Sequence, residues 1–189
     1  MHTSRRVYVG IPVNTYQHFE SLKFCVDDAW NVASLLKHRG QDSAVHVLTE
    51  TTAAAMLAKL RAVVADLKSG DVLVLHLALH GVLDANDNHI FLLGGANEQF
   101  EPEHLLALSS LRSEVGSVEG LDVVLLVDAC RGALGDVATT VAAARKVSVA
   151  LDPHREAARD GGVKRTGVRK ARFTEVFACG DHELAMEVP

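Results

Sequence analysis

The stretch Val123-Val124-Leu125-Leu126-Val127-Asp128-Ala129-Cys130-Arg131-Gly132 constrains the fold of this chain more than any other. Five branched apolar residues in a row, cut short by an acid, a thiol and a glycine, predict a strand buried on both faces within a parallel sheet. Its C-terminal end would deliver Cys130 to a surface crevice, because ligand and reaction sites of open α/β sheets gather at those strand ends. A second run, Asp71-Val72-Leu73-Val74-Leu75-His76-Leu77-Ala78-Leu79-His80-Gly81, finishes in the same way, with a reactive side chain followed by glycine.

The rest of the chain supplies the partners such strands need. Val7-Tyr8-Val9-Gly10-Ile11, ended by Pro12, predicts the first strand of the sheet. Ala29, Val32, Ala33, Leu35 and Leu36 keep helical spacing up to a basic last turn and a glycine at His38-Arg39-Gly40. Ala44 to Leu48 is a second strand. Thr51 or Thr52 then caps a helix whose Met56, Leu57, Leu60, Val63, Val64 and Leu67 form one apolar stripe. The strand holding His80 comes third. A polar turn over Leu83 to Asn88 leads into a short return strand at His89 to Gly95, a helix is expected from Pro102 to Leu111, and residues 121 to 127 form the fourth strand. Phe173 to Gly180 reads as the fifth. This alternation implies right-handed crossovers and a mainly parallel sheet with helices on both faces.

At 189 residues and 48% hydrophobic content the chain has the size of one domain with a sizeable core. No apolar run approaches the roughly 20 residues of a membrane span, and the N-terminus leads directly into a strand, so the expected location is the cytoplasm. Three scattered cysteines, Cys25, Cys130 and Cys179, do not make a disulfide framework and suit a reducing compartment. Residues 145–172 carry nine Lys/Arg against three acids, a net +6, which leaves −11 on the rest of a chain whose total is −5. Aromatics do not interleave with these charges, so neither nucleic acid nor a membrane is an expected partner. Glycine-rich phosphate fingerprints are absent, which argues against a nucleotide-binding domain.

The chemistry follows from the two strand ends. A thiol attacks a carbonyl far better as thiolate, and an imidazole within reach can take its proton and later hand it to the leaving amine. Cys130 is the candidate nucleophile and His80 the candidate general acid/base. The backbone N–H groups of Gly81 and Cys130 can point at the developing oxyanion. Taken singly, either side chain could be a strand-end core residue, since free cysteine is among the most buried residue types. Their joint occurrence favours a dyad. His76 and His80, four apart on a strand pattern, do not make a metal pair, and Asp84 and Asp87 in one turn are weak evidence for a cation site.

His80 and Cys130 lie fifty residues apart, and Asp128-Ala129-Cys130-Arg131-Gly132 is close to the cysteine signature of caspases, which show about that separation. In these features the chain resembles the caspase and metacaspase superfamily of cysteine peptidases, most closely its prokaryotic caspase-like members. The resemblance implies a caspase-like three-layer α/β/α sandwich ending before the family's C-terminal helix and last strand. It also implies one peptidase domain over 1–189, with a large-subunit-like core (1–132), a basic linker (133–172) and the start of a small-subunit-like part (173–189). It assigns Cys130 and His80 to catalysis and Gly81 and Cys130 to the oxyanion hole. Metacaspases, which cut after Arg or Lys, carry a cysteine followed three residues later by aspartate near the first helix, and an aspartate two before the nucleophile; the matching residues are Cys25, Asp28 and Asp128. The implied activity is therefore hydrolysis after Arg or Lys in protein or peptide substrates. Self-cleavage in the basic linker is implied too, at Lys164, Arg165, Arg169, Lys170 or Arg172. No cofactor or metal is expected, and the aspartate cluster behind the calcium dependence of many metacaspases has no match here. The dipeptide Ala78-Leu79 before His80 departs from the small residue and glycine usual in relatives. A regulatory protein or a separate C-terminal segment is an expected partner, and an effector role in prokaryotic stress or defence is the biological setting that such relatives imply. The alternative is a catalytically inactive caspase-like module that binds or scaffolds a partner.

Overall fold

The structure, a computed structural model, describes residues 4–38, 43–84, 86–129 and 170–178. Five parallel strands form the main sheet in the order β2-β1-β3-β7-β8. They are β1 (Arg6–Pro12), β2 (Ser43–Val47), β3 (Val72–Ala78), β7 (Asp122–Asp128) and β8 (Arg172–Phe177). Three short strands, β4 (Gly81–Leu83), β5 (His89–Leu92) and β6 (Leu105–Ala107), make a separate antiparallel sheet. Among the described residues the α-helices are α1 (Cys25–His38), α2 (Ala53–Val64) and α3 (Leu108–Val115). No helix among the described residues is long and apolar enough to cross a membrane.

Alternation along the strands divides the main sheet into two faces. Val7, Val9 and Ile11, Leu73, Leu75 and Leu77, and Val123, Leu125 and Val127 are buried in one cluster with Met56, Leu60 and Val64 of α2 and Leu108, Leu111 and Val115 of α3. The alternate residues, among them Tyr8, Gly10, His76, Ala78 and Asp128, lie on the opposite face. There α1 packs through Ala29 and Ala33, and the Tyr8 hydroxyl donates to the Ala29 carbonyl at 3.0 Å. Chain direction accounts for the division: β1 to β2 runs one way across the sheet, whereas β2 to β3 and β3 to β7 run the other, so right-handed crossovers place α1 on one face and α2 and α3 on the other. Thr52 caps α2, its side chain accepting from the Ala55 N–H at 3.4 Å.

Two expectations require correction. Pro102 to Leu111 is not one helix: Pro102–His104 is a single 3₁₀ turn, Leu105–Ala107 is strand β6, and α3 begins at Leu108. All three residues of β6 are buried and pair with β5, so a tertiary ladder overrides local helix preference. The third strand stops at Ala78, two residues short of His80, which occupies the turn into β4.

Candidate active site

β3 and β7 end side by side, with Ala78 paired to Asp128. His80 follows two residues after Ala78 and is held from three directions. Its backbone N–H donates to the Tyr16 hydroxyl at 2.8 Å, and the Tyr16 ring packs against the imidazole with centroids 4.6 Å apart. Its backbone carbonyl accepts from Leu92 at 2.9 Å, tying the turn to the small sheet. Its Nε2 lies 2.8 Å from the Glu20 carbonyl oxygen. A carbonyl only accepts, so Nε2 carries the hydrogen and Nδ1 presents the lone pair. The imidazole is thus in the tautomer in which Nδ1 can receive a proton. Gly81, next in sequence, is buried and opens β4 opposite Phe91.

The loop between β1 and α1 does this holding, and Asn14 shapes it. The Asn14 carbonyl accepts from Leu22, its amide nitrogen donates to the Lys23 carbonyl, and its side-chain oxygen accepts the Val26 N–H in the first turn of α1. Tyr16 is buried, and the neighbouring Gln17 N–H bonds the Gly94 carbonyl. Sequence reasoning did not find these residues. Glu20 acts through its backbone, which no side-chain pattern reveals, whereas an aromatic flanked by polar residues in the loop after β1 is a readable sign at Tyr16.

The acids form a second part of the site. Asp28 is half-buried in the first turn of α1, and Asp128 is exposed at the end of β7. Both act on one buried group, His76, which lies on the α1 face of β3 and is 5% exposed. Burial holds the His76 imidazole below its ordinary pKa, against the opposing pull of Asp128 and then Asp28. Its Nδ1 is 2.9 Å from the Tyr8 hydroxyl. Burial likewise pushes the Tyr8 phenol up. Gly10, level with His76 on β1, makes room for this pair: a Cβ there would stand 2.9 Å from the Tyr8 oxygen. Cys25 is buried at the first position of α1, in the same turn as Asp28, and is not disulfide-bonded.

Cys130, Lys164, Arg165 and Arg169 lie outside the described residues, as do Cys179 and Gly180. Lys170 is exposed just before β8. Arg172 differs from the expectation of an open cleavage point. It begins β8, its backbone N–H bonds the Leu121 carbonyl, and its guanidinium grips Asp122 through bonds of 2.5 and 2.6 Å. A protease subsite needs extended, unpaired chain, so this end of the ladder would have to open first. Asp84 is buried, and its carboxylate is engaged by the Asn86 and Asn88 N–H groups and the Asn88 amide, which makes the Asp84–Asp87 turn self-sufficient. Glu101, Glu103 and His104 approach one another as metal ligands could, but both carboxylates are exposed, and His104 is engaged by the Thr51 carbonyl and Glu103.

A strand order of 2-1-3-7-8 with a histidine at the rim of the central strand invites comparison with known proteins. The family model of the caspase domain matches residues 5–189. The chain belongs to the caspase domain family. This caspase domain is similar in fold to the crystal structure of protein GSU0716 from Geobacter sulfurreducens, at 19% identity and a TM-score of 0.66 over 95% of this chain and 75% of that one. No curated protein matches it. Membership places the caspase domain in a family of cysteine peptidases and accounts for the mainly parallel α/β sheet seen here.

Proposed function

We propose that this caspase domain is a cysteine endopeptidase in which Cys130 is the nucleophile and His80 the proton shuttle, cutting after Arg or Lys. The observation that carries the reading is the clamp on His80: Tyr16 and the Glu20 carbonyl hold the ring at the sheet's rim with Nδ1 as the basic atom. In the reaction Nδ1 takes the Cys130 proton, and the thiolate adds to the scissile carbonyl. The N–H groups of Gly81 and Cys130 stabilise the resulting oxyanion. Collapse breaks the C–N bond as His80 protonates the leaving amine. Water, deprotonated by His80, then hydrolyses the thioester and regenerates the thiol. A thiol and an imidazole supply the nucleophile and the proton transfers, so the cycle uses no metal or cofactor.

Selection for basic residues rests on Asp28 and Asp128, whose charges converge on His76 and would pair with a guanidinium or ammonium group. Lys164, Arg165, Arg169 and Lys170, in the basic stretch before β8, are then self-cleavage points. Fluorogenic peptides ending in Arg, Lys or Asp test the reading. Turnover is expected on Arg and Lys peptides and is lost in Cys130→Ala, with His80→Ala slower by about 10²–10⁴-fold. Mass spectrometry of the stored protein should find cuts before β8 in the parent only. A folded parent that turns over none of the peptides would overturn the assignment in favour of a binding module.

A further inference from the structure

His76 is a buried imidazole that the catalytic cycle leaves unused, and its surroundings give it a defined state. The Tyr8 hydroxyl has one hydrogen, and it goes to the Ala29 carbonyl, which can only accept. Tyr8 therefore accepts from His76, whose Nδ1 carries the hydrogen and whose Nε2 is the atom left to gain one. A proton added at Nε2 leaves the Tyr8 bond intact. Among the described residues, the ionisable groups acting on it come from three elements: Tyr8 from β1, Asp28 from α1 and Asp128 from β7. His76 and Asp128 share one face of adjacent strands, offset by a single side-chain step because Ala78 is level with Asp128. Asp28 directly precedes Ala29, whose carbonyl anchors Tyr8.

We propose that His76 sets the charge of the substrate pocket: neutral, it leaves the negative charge of Asp28 and Asp128 to a substrate's guanidinium or ammonium, and protonated it competes with that cation. The inference rests on the reading of Asp28 and Asp128 as the basic-residue pocket. Its physical content is reciprocal linkage, since a charge that weakens cation binding must itself become harder to form once the cation is bound. His76 is a specificity residue acting through the two carboxylates and touches no reacting atom. Burial favours the neutral ring near neutrality, so selection for basic residues is strongest there and fades as the solution is acidified.

The test uses the full chain as Cys130→Ala, which prevents self-cleavage, and benzamidine as an amidinium probe. Its dissociation constant is measured between about pH 5 and pH 8 while the His76 ring is followed by NMR. Affinity is expected to weaken about three- to tenfold as His76 protonates, the size of a charge term in a partly hydrated site. Saturating benzamidine should lower the His76 pKa by the matching half to one pH unit, roughly. In His76→Gln the slope should disappear; a slope retained in full there would belong to another group and overturn the inference. The displacement of the His76 pKa is read on the native residue, so it decides the matter even if His76→Gln does not fold. Constant affinity across the His76 titration, with binding lost in Asp128→Asn, would refute the role of His76 and leave the pocket standing. No benzamidine binding where His76 is neutral would instead remove the pocket, and this inference with it.

Discussion

Tyr16 shows how a side chain with no chemistry of its own can govern a reactive one. Its hydroxyl accepts the His80 backbone N–H and its ring braces the imidazole, so it is a positioning residue that fixes both where His80 starts and how it is turned. Tyr16→Phe keeps the ring and removes the acceptor. It should cost about 1 kcal/mol in thermal denaturation. With His80 as the proposed proton shuttle, it should also cost roughly three- to tenfold in kcat with little change in KM, because displacing that group slows chemistry and not binding. A purely structural Tyr16 would show the first effect without the second, so kinetics and melting measured on one preparation separate them.

At the scale of elements, the main sheet works with its two ends assigned to different tasks. Beyond the C-terminal end of β3 lies His80 and at that of β7 lies Asp128, while the N-terminal ends are locked by Asp71, which is wholly buried just before β3. Its carboxylate accepts the backbone N–H groups of Arg5 and Lys68, both at 2.9 Å, with the Arg5 guanidinium at 3.3 Å, and so ties the entry of β1 to the turn after α2. Asp71→Ala strands those donors. A loss of about 2–4 kcal/mol is expected in urea titrations, with peptide turnover at low temperature unchanged because the site lies at the opposite end of the strands. Guanidinium clips reinforce the outer elements: Arg61 of α2 holds Glu114 of α3, and Arg112 of α3 holds Glu175 of β8 at 2.7 and 2.5 Å. These side chains are partly exposed and add orientation more than stability.

Taken as a whole, the molecule should respond to acid through His76. Burial lowers its pKa in the folded state below the value of about 6.5 expected unfolded, so the unfolded chain binds the extra proton first. Its contribution to stability is present above about pH 6.5 and is lost as pH falls through the lower folded value. Melting temperature should therefore drop more steeply between about pH 7 and pH 5 in the parent than in His76→Gln, and equal slopes would contradict this sign. The sequence by itself determined the parallel α/β sheet, the two helices of clearest periodicity and the buried strands that lead towards His80 and Asp128, because branched apolar runs broken by glycine have few other solutions. It also marked Asp28 and Asp128 as a pair through family likeness. Only the tertiary structure decided the strand order, the splitting of residues 102–115 into turn, strand and helix, the pairing of Arg172 with Asp122, and the hold of Tyr16 and the Glu20 carbonyl on His80. Those features depend on contacts between residues as much as 66 positions apart and on backbone atoms common to every residue, so no local pattern of side chains encodes them.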